Sequence, residues 1–314
     1  MKLAFLFPGQ GSQAVGMGAD LYAHSKAAKS VLDDVDAILA YKLSTLCFYG
    51  PEDKLKETSI TQPALFAVSV AALRAIQDVG IVPQASAGHS VGEYAALVAA
   101  GSLDMQTGLT LVAQRGELMR QAAAAHPGAM AAVLGLSGDD VAAVCAAVTD
   151  SGAYVAAANF NGAGQVVISG ESEGVAKAAD ALKEKGARKV LPLAVSGAFH
   201  SRLMQPAIHT MRAFLEQASI KEASVPIICN VTADYVSDPE QIRENLALQI
   251  ASPVRWEETI TRLLNDGFDT FVELGSGKVL TNLTKRISKD VTTYNVEDSA
   301  TLASTVEQLK AGTN

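Results

Sequence analysis

Cysteine is scarce in this chain of 314 residues. The three cysteines are Cys47, Cys145 and Cys229, an odd number with no metal-like spacing. Such scattered cysteines do not form a disulfide framework or a thiolate metal site. We therefore expect free, buried thiols in a reducing compartment, and no metal site.

Charge is also sparse, and basic charge most of all. Charged residues make up 18% of the sequence and the net charge is −8. A nucleic-acid binder carries a basic face, so we expect no nucleic-acid partner. Hydrophobic residues reach 49% of the chain, which is enough for a sizeable core. The low charged fraction also excludes a disordered chain.

Long apolar runs are also scarce in the sequence. The first run, Lys2 to Phe7, stops at Pro8-Gly9 and is too short for a signal peptide. No later stretch reads as long enough to span a bilayer. We therefore expect a cytoplasmic protein with no membrane partner.

The order of elements predicts two subdomains. Lys2 to Phe7 has the pattern of a buried strand, and Thr61 to Gly80 that of a long helix. Between residues 128 and 195 the pattern is βαββαβ, typical of a ferredoxin-like unit. We predict that this unit is inserted into a larger α/β subdomain, residues 1–127 and 196–314, with a mainly parallel sheet covered on both faces.

Two Gly-x-Ser-x-Gly segments are present, and each lies between a predicted strand and a predicted helix. This pattern is typical of a nucleophile elbow, where the serine stands at a helix N-terminus with free N–H groups nearby. Ser172 lies between two glutamates, whose charge would oppose an oxyanion. Ser90 has uncharged neighbours and is the better candidate. The pattern alone leaves a structural helix cap at Ser90 equally open.

Five histidines are candidates for the base that would activate the serine. A general base must come within about 2.6–3.2 Å of the serine oxygen whose proton it takes. His89 adjoins Ser90, but adjacent side chains diverge around a sharp turn. His200 lies in a loop of small residues before a helix, and it gains weight only when it is paired with Ser90. The histidines in polar or mid-helix contexts are His24, His126 and His209.

Six segments occur in an order that is found in one known family. They are "FLFPGQGSQ", "GHSVGEY", "QRGELM", "NGAGQVVISG", "VSGAFHS" and "ASPVRW". Through them, and over essentially its whole length, the chain resembles the malonyl-CoA:acyl carrier protein transacylases. The resemblance implies an α/β-hydrolase-like larger subdomain beside the ferredoxin-like one. It also implies a stand-alone bacterial enzyme of fatty-acid synthesis.

The resemblance assigns chemical roles to five positions. Ser90 would be the acylated nucleophile and His200 its general base. The backbone N–H groups of Gln10 and Val91 would form the oxyanion hole. The family often has leucine where Val91 stands, but a backbone role tolerates either side chain. Gln249 would orient His200 through its backbone carbonyl.

Three further positions would form the acyl pocket by the same resemblance. Arg115 would bind the malonyl carboxylate, because guanidinium meets carboxylate through two parallel hydrogen bonds. Without the motif, Arg115 would be interpreted as a solvated helix arginine that pairs with Glu117 or a neighbour. Gln62 would line the pocket, and the ring of Phe199 would leave little room for an α-methyl branch.

The implied reaction is a two-step exchange of thioesters. Malonyl-CoA would acylate the serine, and the phosphopantetheine thiol of acyl carrier protein would take the malonyl group. Coenzyme A is then a substrate, and we expect no cofactor and a monomeric enzyme. Carrier proteins are acidic, so a local basic patch must offset the net charge. The candidates for this patch are Arg188, Lys189, Lys278, Lys285, Arg286 and Lys289.

Three alternatives remain open from the sequence. A trans-acting acyltransferase of a polyketide synthase would share the chemistry and differ only in its carrier. A serine thioesterase would hydrolyse the acyl group and would not need Arg115. A catalytically silent carrier-binding protein would not need the intact Ser90 and His200.

Overall fold

Two separate β-sheets organise the chain in the computed structural model, which describes residues 1–195 and 197–312. The ten strands among these residues are β1 (Leu3–Phe7), β2 (Ala85–Gly88), β3 (Ala129–Leu134), β4 (Val155–Gly162), β5 (Gln165–Gly170), β6 (Lys189–Pro192), β7 (Ile227–Ile228), β8 (Tyr235–Val236), β9 (Thr270–Leu274) and β10 (Thr292–Val296).

Helices cover both sheets. Those of the described residues are α1 (Ala19–His24), α2 (Lys26–Leu39), α3 (Leu43–Tyr49), α4 (Glu52–Leu55), α5 (Thr58–Asp78), α6 (Gly92–Ala99), α7 (Met105–Ala125), α8 (Gly138–Asp150), α9 (Ser172–Glu184), α10 (Gln205–Gln217), α11 (Pro239–Gln249), α12 (Trp256–Asn265), α13 (Val279–Ile287) and α14 (Ser299–Ala311), with a short 3-10 turn at Arg202–Met204.

The larger sheet has six strands in the order β10-β9-β1-β2-β7-β8. All neighbours pair in parallel except β7 and β8. Strand β1 lies in the middle with both faces covered: Phe5 and Phe7 pack into one core, and Ala4 and Leu6 into another. This explains why its sequence is continuously apolar, as is usual for a strand buried on both sides.

The smaller sheet is antiparallel, with the order β4-β5-β3-β6. Helices α8 and α9 pack against it, so the chain order is βαββαβ. The predicted fold class, a mainly parallel sheet with a separate ferredoxin-like unit, is confirmed. The four strands lie between Ala129 and Pro192. The exact subdomain boundaries at residues 128 and 195 stay a prediction.

Helix α5 corrects one expectation from the sequence. It begins at Thr58, three residues earlier than the pattern indicates, and by length and composition alone it could cross a membrane. The expectation that no segment meets those two criteria was therefore wrong. Within the fold, 83% of its most apolar 18-residue window is buried. The helix packs against α2 and α7 and forms part of the main core.

Candidate active site

Ser90 lies in the sharp turn between β2 and α6. Its φ of 52° is left-handed, a conformation that few non-glycine residues adopt. The turn is also very tight: a Cβ at Gly88 would lie 2.1 Å from the backbone of Gly92, and one at Gly92 would lie 2.1 Å from the carbonyl oxygen of Phe7. Both glycines of "GHSVG" are therefore required by close approach of the backbone.

A histidine from a distant loop completes the pair. The distance between Ser90 Oγ and His200 Nε2 is 2.8 Å, within the range for a base and its proton donor. His200 Nδ1 lies 2.9 Å from the carbonyl oxygen of Gln249 and 3.0 Å from that of Ser252. Carbonyl oxygens only accept, so Nδ1 carries the proton and Nε2 is free to accept one from the serine.

Electrostatics keep this imidazole neutral. Burial, and then the positive charge of Arg115, lower the pKa of His200 to about 3. A neutral Nε2 is the form that a general base requires. The structure thus places Ser90, His200 and the Gln249 carbonyl together as the sequence indicated, and their catalytic roles stay predictions.

Arg115 is fully buried on α7, directly beside the serine. Its Nη1 donates to Gln62 Oε1 at 2.6 Å, and its Nη2 donates to Gln249 Oε1 at 2.9 Å and to Ser90 Oγ at 3.1 Å. Burial lowers its pKa. The reading of Arg115 as a solvated partner of Glu117 was wrong, because Glu117 pairs with Arg120 instead.

No carboxylate among residues 1–195 and 197–312 forms an ion pair with Arg115. Only neutral oxygens accept from its Nη groups, and its buried Nε has no hydrogen-bond partner. A buried cation without a paired anion is costly. This suits the role that the resemblance implies for Arg115, binding the malonyl carboxylate, and that role stays a prediction.

The two proposed oxyanion donors border the same cleft. Val91 is the residue just before α6, and Gln10 follows β1 in the loop "PGQG". Within the described part of the chain, neither backbone N–H donates to another protein atom. Their assignment to the oxyanion hole stays a prediction, and free donors at the start of a helix suit it.

The cleft has a volume of about 220 Å³ and lies between the two sheets. The larger subdomain provides the reactive groups and the smaller sheet provides an apolar wall, including Met130, Ala132 and Val167. Gln62 and Phe199 both line it, as the sequence indicated, and both are buried. Their roles in selecting the acyl group stay predictions.

Among the described residues, none of the rejected candidates is hydrogen-bonded to Ser90 Oγ, although His89 also lines the cleft. His89 hydrogen-bonds Asn161 Oδ1 through Nε2 at 2.9 Å, and its ring centroid lies 5.6 Å from that of Trp256. Burial lowers its pKa. Ser172 is exposed at the first residue of α9. The other three histidines are exposed and are not hydrogen-bonded to Ser90 in the described residues: His24, His126 and His209.

Two site residues were missed by sequence reasoning. Asn230 Oδ1 accepts from the backbone N–H of Ser90 at 2.6 Å, and its Nδ2 donates to the Gly88 carbonyl at 2.7 Å. Glu93 Oε2 accepts from Asn230 N at 3.0 Å and from Gln249 Nε2 at 2.7 Å. A lone acid in the apolar segment "EYAALVAA" was a signal for Glu93. Nothing local marks Asn230.

The candidate cations differ in their surroundings. Arg188, Lys189, Lys285 and Arg286 are exposed, and no ion pair involves them in the described residues. Lys278 lies 3.8 Å from Glu297. Lys285 and Arg286 occupy the last turn of α13, whose first residues border the cleft. The three cysteines are free and buried, as expected.

The chain is similar to known proteins over almost its whole length. Residues 4–309 match the acyl transferase domain. The malonyl CoA-acyl carrier protein transacylase of Bacillus subtilis is 46% identical over 309 residues, covering 98% of each chain. The protein of the same name from Escherichia coli is 39% identical over 307 residues, covering 98% of this chain and 99% of its own.

Solved structures agree with the sequence relatives. An acyl-carrier-protein-S-malonyltransferase from Bartonella henselae superposes with a TM-score of 0.94 at 42% identity, covering 99% of this chain and 100% of that one. A malonyl-transacylase in complex with its type II polyketide synthase acyl carrier protein gives 0.95 at 41% identity, covering 98% and 100%. The chain therefore belongs to the acyl transferase domain family.

Proposed function

We propose that this protein moves a malonyl group from malonyl-CoA to the phosphopantetheine thiol of acyl carrier protein, through a malonyl ester on Ser90. The observation that carries the proposal is Arg115, a buried guanidinium 3.1 Å from the serine oxygen, with which no carboxylate of the described residues forms an ion pair. A thioester with an anionic acyl chain supplies the missing anion close to the reacting carbonyl. The names of the relatives support both substrates.

The first half-reaction acylates the serine. His200 Nε2 takes the proton of Ser90 as Oγ attacks the thioester carbonyl, and the backbone N–H groups of Gln10 and Val91 stabilise the negative oxygen. The C–S bond then breaks, and the leaving thiolate of coenzyme A takes the proton from His200. The carboxylate pairs with Arg115 throughout, which holds the acyl group against Ser90.

The second half-reaction is the same chemistry in reverse with a different thiol. His200 deprotonates the phosphopantetheine thiol, the sulfur attacks the ester, and Ser90 recovers its proton as it leaves. One thioester replaces another, so the exchange is nearly balanced in energy and needs no metal or nucleotide. We propose a monomeric cytoplasmic enzyme, for which the free buried thiols suit a reducing compartment.

The carrier protein must bring its phosphopantetheine thiol to Ser90 through the cleft. We propose that Lys285 and Arg286 attract the acidic carrier protein, because they are exposed in the last turn of α13, a helix whose Val279, Leu280 and Leu283 border the cleft, and have no ion-pair partner in the described residues. Both fatty-acid and polyketide carriers fit this chemistry. The neighbour solved with a type II polyketide synthase carrier favours keeping the second candidate.

The test is intact-protein mass spectrometry after mixing with malonyl-CoA. We expect a malonyl adduct that is absent from Ser90→Ala, present in Ser172→Ala, and discharged when carrier protein bearing phosphopantetheine is added. Release of free malonate in place of a lasting adduct would identify a thioesterase. Failure of the wild-type protein to react at all would leave a silent carrier-binding protein.

A further inference from the structure

Glu93 is a buried acid beside the reacting groups that the mechanism above does not use. It lies on α6, where all eight residues are buried and the others are small or apolar apart from Tyr94. Burial raises the pKa of Glu93 to about 7. A buried carboxyl group is costly unless it is hydrogen-bonded. Within the part of the chain that the structure describes, its carboxyl group accepts two hydrogen bonds, from Gln249 and from Asn230, and both of these residues contact Ser90.

The bond to Gln249 fixes which end of that amide faces Arg115. Gln249 Nε2 donates to Glu93 Oε2 at 2.7 Å and to the Ser90 carbonyl at 3.1 Å, so Oε1 is left to accept from Arg115 Nη2 at 2.9 Å. A guanidinium only donates. If the amide were flipped, its NH₂ group would face the NH₂ of Arg115, and both contacts would be lost. Only one orientation satisfies Glu93 and Arg115 together.

The bond to Asn230 supports a different part of the site. Asn230 receives the backbone N–H of Ser90 and donates to Gly88, which holds the strained turn in place. Any acyl group reacts at that turn, whereas only an acyl group with a carboxylate depends on Arg115. The two hydrogen bonds of Glu93 therefore have different consequences. Loss of the bond to Asn230 should slow all substrates equally, whereas loss of the bond to Gln249 should slow carboxylated substrates most.

We propose that Glu93 is a positioning residue for substrate selectivity: its carboxyl oxygen orients the Gln249 amide, which holds Arg115 Nη2 beside Ser90 Oγ for a carboxylated acyl group. The proposal rests on the function proposed above. It makes Glu93 act through Gln249 and Arg115, without contact with the substrate. The orienting element is a hydrogen-bond acceptor, so a neutral amide in place of Glu93 should serve almost as well.

The experiment compares rates of Ser90 acylation by malonyl-CoA and acetyl-CoA in two variants. Glu93→Ala should lower the malonyl-to-acetyl ratio on the order of tenfold, the scale for one lost hydrogen bond to a charged group. Glu93→Gln should keep the ratio within about twofold of wild type, because its amide oxygen still accepts from Gln249. Rescue by the conservative variant is a result that loss of packing alone would not give.

A matched control is available at Glu273. It is also fully buried, with its pKa raised to about 7 by burial, and it accepts from the backbone N–H groups of Leu280 and Thr281 at 3.0 and 2.7 Å. Among the described residues, its carboxyl group makes no hydrogen bond to Gln249 or Arg115. Glu273→Gln should leave the malonyl-to-acetyl ratio unchanged.

Gln249→Leu removes the other partner of the hydrogen bond between Glu93 and Gln249. It also provides a test if Glu93→Ala does not fold. It removes the side-chain amide and keeps the backbone carbonyl that binds His200. It should shift the ratio as Glu93→Ala does, and the double variant should shift it no further, because both changes break one chain of contacts. Equal slowing of both thioesters in the single variants, or a shifted ratio in Glu93→Gln, would overturn the proposal.

The reaction of the wild-type protein shows whether the proposed function or only the proposed role of Glu93 has failed. If the wild-type protein does not accept malonyl from malonyl-CoA, the proposed function fails and the role of Glu93 falls with it. If the wild type accepts malonyl and the ratio in Glu93→Ala is unchanged, only the role of Glu93 is wrong.

Discussion

Replacing Arg115 by alanine is the sharpest test of the proposed substrate. The guanidinium is fully buried, so water does not readily take its place beside a bound carboxylate. Removing one member of a buried ion pair typically costs about 3–5 kcal/mol. At about 1.4 kcal/mol per decade, malonyl transfer should fall by roughly a hundredfold to several thousandfold.

Acetyl-CoA provides the internal comparison because its acyl group has no carboxylate. Its reaction at Ser90 should change far less, since the 2.8 Å contact between Ser90 Oγ and His200 Nε2 does not include Arg115. The variant should therefore shift its preference from malonyl toward acetyl. Arg120→Ala is the matched control, because Arg120 lies on the same helix but is exposed and pairs with Glu117.

The assay is single-turnover acylation of Ser90 by each thioester, followed by mass spectrometry, for wild type and both variants. Unfolding in urea, measured in parallel, shows whether the Arg115 variant is folded under assay conditions. A proportional fall for malonyl and acetyl in a folded variant would show that Arg115 only supports the structure. The malonyl assignment would then lose its physical basis.

Three further outcomes are expected. His200→Ala should slow acylation by about 10²–10⁴-fold, the usual cost of losing a general base, while a folded His89→Ala should still be acylated; the reverse result would exchange their roles. Charge reversal at Lys285 and Arg286 should weaken transfer to carrier protein and spare acylation by malonyl-CoA, whereas equal loss in both half-reactions would indicate a structural role. In urea unfolding, the free energy of unfolding of Glu273→Gln should rise relative to that of wild type as pH rises from about 4.5 to about 7. The reason is that buried Glu273 keeps its proton in that range, whereas the unfolded wild-type chain releases it. A pH-independent difference would contradict the raised pKa.

Much of the fold could be predicted because it is encoded by local patterns. The glycines of "GHSVG" reflect a turn where a Cβ would meet backbone atoms at 2.1 Å. The βαββαβ order follows from alternating strand and helix periods in residues 128–195. Other elements were not accessible in this way. Residues 85–88 are poor strand formers, yet they form β2 because β1 and β7 supply hydrogen bonds on either side.

Local patterns also could not predict how much of a segment would pair in a sheet or be buried. The segment "VPIICNVTA" reads as one strand, but only Ile227–Ile228 pair as β7 before the chain turns at Asn230. Helix α5 looks apolar enough for a membrane, and only its packing against α2 and α7 shows that it is a core helix. In each case the neighbours of a segment, and not its own residues, decide its environment.

The sequence by itself determined the candidate nucleophile, the order of the motifs and the family resemblance that named His200, Arg115 and Gln249. Only the tertiary structure decided that Arg115 is buried, with no ion pair to a carboxylate of residues 1–195 or 197–312, and that Glu93 contacts Gln249. The reason is distance along the chain. Ser90 meets Asn230 from 140 positions away, and Gln249 meets Glu93 from 156 positions away. Contacts between such distant segments leave no periodic signal in either one, so they exist only once the sheets have packed around the cleft.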